Sequence, residues 1–145
     1  MTGGRGSLSQ RCETISRFDR AYKSKYRIRR KSTSPIVKLV LVLTPLAADA
    51  DAPAFARTLV EEQLAACVNV LPAMTSIYRW KGSVDQEREQ QLLIKTAADK
   101  VEALAARLRQ LHPYELPEFI ILDAEASTAY AEWIDDNTRA GSPKT

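Results

Sequence analysis

From position 36 the chain alternates between two apolar rhythms, and the switches between them outline its elements. Ile36-Val-Lys-Leu-Val-Leu-Val-Leu is β-branched, nearly continuous and short, which predicts a strand over 36–43 covered on at least one face, ended by Thr44-Pro45. Asp49 and Asp51 can cap a helix, and Pro53 fits only its first turn. Phe55, Ala56, Leu59, Val60 and Leu64 then share one face, opposite Arg57, Thr58, Glu61 and Glu62, so an amphipathic helix is expected. Strands follow over 67–71, closed by Pro72, and over 75–80. Lys81-Gly82-Ser83 supplies a turn in which glycine can take a positive φ. A longer strand over 87–95 is polar at first and apolar at Leu92-Leu93-Ile94.

Thr96 or Asp99 can cap the next helix, where Val101, Leu104, Leu108 and Leu111 recur at helical spacing. Pro113 cannot continue that helix and pushes His112 toward an extended backbone. A core strand over 119–122 and a helix over 128–137, with Tyr130, Trp133 and Ile134 turned inward, complete the pattern. No internal repeat interrupts it. The order β-α-β-β-β-α-β-α suits an antiparallel sheet with both main helices on one face, an α+β ferredoxin-like sandwich.

Charge divides the chain in two. Residues 1–34 carry ten of the 21 Lys and Arg but two of the 18 acids, whereas the remainder is acidic. The basic segment has few large apolar residues with which to offset its ordering entropy, so it reads as a disordered extension. A nucleic-acid or membrane-surface arm and a transit peptide are its other readings. The expected organisation is therefore this extension, a folded domain over 35–138 and a flexible tail over 139–145. Cys12 lies among basic and polar residues and Cys67 among apolar ones, which suits a reducing, cytoplasmic setting better than a disulfide framework. No apolar run approaches the roughly 18 residues that span a bilayer.

Candidate chemistry is sparse. No GxGxxG, P-loop, GxSxG, CxxC or HExxH occurs, and His112 is the only histidine. A neutral imidazole is a ligand for copper, nickel and zinc, and Glu115 and Glu118 follow it across two prolines that stiffen the segment. His112 could equally serve the helix C-terminus, where partial positive charge is favourable. Cys67 could be a thiolate ligand for copper or a small buried hydrophobe. Tyr78, Trp80 and Tyr114 could line a pocket or an interface, or pack on the sheet. Lys95 could bind an anion or stand in solvent.

Several uncommon strings occur in a fixed order: LVEEQLAACVN (59–69), TSIYRWKG (75–82), LLIKT (92–96), LHPYELPE (111–118) and YAEWIDDNT (130–138). In these the chain resembles the CutA family of divalent-cation tolerance proteins over residues 36–138. The resemblance implies a ferredoxin-like fold assembled as a tight homotrimer, with long bent strands crossing between subunits. It implies a role in tolerance of copper and other divalent cations, with copper bound directly in some members and no established enzymatic reaction. Animal members are tied to anchoring a membrane enzyme. The trimer also resembles PII signalling proteins, which makes a signalling or scaffold module, holding a small anion or a partner protein at its intersubunit clefts, the alternative. Carried over by position, the metal candidates are His112, Glu118 and Cys67. Where some members place a copper-binding cysteine at the end of the first strand, this chain has Leu43.

Overall fold

The computed structural model describes residues 38–141. The expected extension 1–34 lies outside them, as does the end of the tail. Four strands form one antiparallel sheet: β1 (Leu39–Ala47), β2 (Cys67–Trp80), β3 (Ser83–Ala97) and β4 (Ile120–Ala124). Three helices accompany them: α1 (Ala52–Glu61), α2 (Val101–Leu111), entered through a short 3-10 turn at Ala98–Lys100, and α3 (Thr128–Thr138). The strand order β2-β3-β1-β4 gives the expected α+β ferredoxin-like sheet.

The register sorts the side chains. Val42 pairs with Ile94 and Thr44 with Leu92 across β1 and β3, and Val68 faces Ile94 from β2. Residues directly opposite one another share a face. This face carries the main core, closed by Ala52, Ala56 and Leu59 of α1 and by Leu104 and Leu108 of α2. Asp51 caps α1 by accepting from the Ala54 amide at 2.9 Å. On α3 only Ile134 and Thr138 are buried, with Ile134 packed on Leu39, Ala66 and Ala124. Leu39 precedes the core residue Val40, so α3 lies on the sheet face opposite α1 and α2. At the C-terminal end of α1, the guanidinium of Arg107 from α2 forks onto both Glu62 oxygens at 2.6 and 2.8 Å.

Several expectations need correction. Thr44-Pro45 does not end β1, which runs on to Ala47. The β1–β4 pairing stops at Leu43, so the amide hydrogen that Pro45 lacks is on a side with no strand to receive it. Pro72 does not close a strand either. Strand β2 is continuous, and the register shift between Val70 and Ala73 absorbs the proline as an irregularity. Neither Thr96 nor Asp99 caps α2 with its side chain. Thr96 stays in β3, and its hydroxyl donates to the Leu64 carbonyl at 2.8 Å. Strand β4 is not a core strand in the single chain, because Ile120, Ile121 and Leu122 are exposed. Tyr130 and Trp133 are not turned inward. They stack on each other at 5.5 Å between ring centroids, on the exposed side of α3.

Strands β2 and β3 reach well past the helices as a two-stranded arm. Its turn places Lys81 at φ 46° and Gly82 at φ 87°, the two positive dihedrals of a type I′ hairpin. Glycine is at ease there, and lysine is not. Lys81→Asn is therefore expected to raise stability by about 0.5 kcal/mol, and Gly82→Ala to lower it by about 1 kcal/mol. Thermal or urea denaturation of the two variants checks both signs. The Lys81–Glu115 ion pair is wide, at 4.0 Å, and exposed, so its loss in Lys81→Asn should leave the gain visible.

Candidate functional site

The segment after α2 crosses the open flank of β1 as a strap over residues 112–119. His112 ends the helix with φ −74° and ψ 131°, the extended backbone its proline neighbour requires. Its amide still closes the last helical turn on the Leu108 carbonyl at 2.8 Å. The ring is not at the surface, as a helix terminus suggests, but buried to 8 % exposure. Nε2 lies 2.9 Å from the Pro45 carbonyl and Nδ1 accepts from the Tyr114 amide at 3.2 Å. The two bonds fix the tautomer: a carbonyl can only accept, so the proton is on Nε2. His112 thus takes up the side of β1 that β4 has already left. Phe55 meets its ring edge-on at 6.1 Å, and the Tyr114 ring lies at 5.0 Å. Burial holds the imidazole pKa below its ordinary range, against the opposing pull of the Pro45 carbonyl and the Glu89 carboxylate.

Tyr114 carries the network onto β3. Its hydroxyl donates to Glu89 at 2.8 Å, and Glu89 is only 6 % exposed. Burial, and then the bond to Glu89, push the Tyr114 phenol well above its usual value. Two residues along β3, Gln91 donates to Glu118 at 3.1 Å, which fastens the far end of the strap. Lys81, at the arm's turn, sits over the Trp80 ring at 5.5 Å and faces Glu115. Gln90 points the other way, and its amide reaches the carbonyls of Ala47, Ala48 and Ala50 at 3.0–3.3 Å, anchoring the turn that leads into α1.

His112 and Glu118 therefore belong to one neighbourhood, since Pro45 pairs with Gln91 across β1 and β3. Cys67 does not join them. It pairs with Lys95, four residues further along β3. That is about 13 Å at the rise of a strand. Leu43, paired with Leu93, stands between. Among the described residues, no three of His, Cys, Asp and Glu are grouped so as to hold a metal ion. Both His112 nitrogens are engaged, so the ring can ligate an ion only by giving up one of its bonds. The donors of one protomer thus do not form a ready-made metal site. Sequence reasoning missed Glu89 and Gln91. The run from Asp85 to Gln91 is polar at every position, so apolar patterning passes over the face that Asp85, Glu87, Glu89 and Gln91 share.

The model of the CutA1 divalent ion tolerance protein family matches residues 40–137. The divalent-cation tolerance protein CutA of Thermus thermophilus is 43% identical over 102 residues, 70% of this chain and 97% of that protein. A CutA homologue from Xenopus laevis is 48% identical over 89 residues, 61% of this chain but 59% of its own length. Among solved structures, the PII-like protein CutA from Nostoc, in apo form, superposes with a TM-score of 0.65 at 37% identity, covering 69% of this chain and 97% of that one. The family match takes in nearly all of the sheet, all of α1 and α2, the strap and all but the last residue of α3. On those grounds the chain belongs to the CutA1 family of divalent ion tolerance proteins.

Proposed function

We propose that this chain acts in divalent-cation tolerance as a non-enzymatic homotrimer in the cytoplasm, and that copper is the ion it meets. Family membership over the whole described fold carries the reading. The arm supports the trimer: Ile77 and Val84 are 69 % and 63 % exposed in a lone protomer, an apolar surface that a soluble protein normally covers. The outer edge of β4, on which no described strand pairs, adds a second reason for association. The donors this chain can offer are His112, Glu118 and Cys67. With His112 already engaged and Leu43 where a thiolate could sit, binding is weak, on the order of micromolar, about −8 kcal/mol.

Calorimetric titration of the full chain with copper, zinc and nickel tests this. His112→Gln is the informative variant, because its side-chain amide can still donate to the Pro45 carbonyl while the imidazole is gone. The expected result is about a tenfold loss of copper affinity, or roughly 1.4 kcal/mol. In the wild type, affinity should fall with acidification only below pH 6.5, since burial keeps His112 neutral to lower pH than a free imidazole. Leu43→Cys should tighten Cu(I) binding selectively. Unchanged affinity in His112→Gln would favour the second reading, a PII-like signalling or scaffold module. The double engagement of the His112 ring is what favours that alternative.

A further inference from the structure

One face of the β2–β3 arm gathers aromatic and acidic side chains. Cross-strand pairing sets Ser76 opposite Glu87 and Tyr78 opposite Asp85, with Trp80 and Glu89 toward the two ends of that face. The strap brings Tyr114 and Glu115 to the same side, through the Tyr114–Glu89 bond and the Lys81–Glu115 ion pair. The Tyr78 hydroxyl donates to Glu87, and the charges of Glu87 and Glu89 act on both phenols, so the four groups lie within electrostatic reach of one another. Glu89 keeps only 6 % of its surface exposed, yet the donor it has among the described residues is a neutral phenol. Among the described residues, no lysine or arginine pairs with Asp85, Glu87 or Glu89. A buried carboxylate ordinarily has a cation beside it. One primary ammonium already rests on this surface: Lys81 Nζ lies 5.5 Å from the centroid of the Trp80 ring and 4.0 Å from Glu115.

We propose that this face binds an aliphatic polyamine, with one ammonium between Glu89 and Glu87 and the rest of the ligand laid along the row toward Asp85. Alternate residues of a strand are about 7 Å apart, so the three carboxylates are spread along a line. That spacing suits a ligand whose ammonium groups are themselves spread along a chain. It does not suit a single metal ion, for which no three acids are grouped among the described residues. Tyr78 and Tyr114 each occupy one carboxylate, which leaves the second oxygen of each to accept from an ammonium. The phenol and indole rings attract a cation with their faces and pack its methylenes. The site uses none of His112, Glu118 and Cys67, so it stands apart from the copper reading.

Calorimetric titration of the full chain with spermidine, at about 10 mM salt, where surface charges are little screened, tests this. Spermidine should bind the wild type saturably. Glu89→Gln keeps an acceptor for the Tyr114 hydroxyl and should weaken binding about tenfold. Tyr78→Leu keeps an apolar side chain and should weaken it about threefold. Lys81→Asn removes the tethered ammonium and should tighten binding about threefold, an effect of the opposite sign that a damaged fold cannot produce. Lys100→Asn removes an equal charge elsewhere and should change nothing. A wild type that takes up no spermidine, or an affinity that Glu89→Gln leaves unchanged, would overturn the inference. So would equal tightening in Lys81→Asn and Lys100→Asn, which would reduce the effect to net charge.

Discussion

Replacing His112 with alanine is expected to destabilise the folded chain by about 3 kcal/mol. The substitution leaves the Pro45 carbonyl and the Tyr114 amide without partners beside a buried ring site, and each such group costs about 1–3 kcal/mol. Water can enter at the flank of β1 and recover part of this, so the expected value lies below the sum. His112→Gln should recover a substantial part of the loss through the Pro45 bond alone. The same contacts set a pH window. Because burial lowers the folded-state pKa of His112, the unfolded chain takes up a proton first as pH falls through 6.5. Stability present above that value is then lost progressively, until the folded ring protonates too. Tyr114 acts at the other end. Its raised folded-state pKa means that the unfolded chain ionises first as pH rises through 10.0, and stability is lost above it. Urea midpoints measured across pH should fall on both flanks in the wild type. The acid flank should flatten in His112→Gln. An acid flank that persists unchanged there would assign it to other groups.

The other large effect lies in the core. Ile94 is fully buried on β3 and meets Val42 on one side and Val68 on the other, under both main helices. Ile94→Ala should cost about 3–4 kcal/mol, as lost transfer energy plus a cavity that two flanking strands cannot close. Ile94→Val should cost about 1 kcal/mol. Chemical denaturation should show that ladder with an unchanged slope. A loss under 1 kcal/mol for alanine would mean that the sheet collapses onto the gap.

Much of this fold was legible in the chain. Three-to-four spacing found α1 and α2, the Asp51 cap and Pro53 set where α1 begins, and His112-Pro113 marked where α2 stops. Two of the misreadings came from prolines. Pro45 and Pro72 looked like terminators because local rules count the missing amide hydrogen against a strand. Whether that hydrogen is needed depends on which neighbour stands beside the strand at that point, and only the sheet order answers that. The aromatic residues Tyr130 and Trp133 misled in another way. Helical spacing places them near Ile134, yet a helix lying on one end of a sheet buries a narrow stripe. Ile134 fills it. In the candidate site, His112 and Glu118 could be named, but the ring's engagement with Pro45, and the part played by Glu89, depend on contacts 67 and 25 residues apart in sequence.

Strand β3 is one continuous run of backbone in two surroundings. Its second half lies between two strands under a helical layer, and its first half belongs to a ribbon with solvent on both faces. Amides in the first half can open without exposing core, so in an isolated copy their exchange with solvent is governed by local fraying, whereas those near Ile94 wait for global unfolding. The protection a neighbouring copy confers would then be written along a single strand, as a boundary between its two halves.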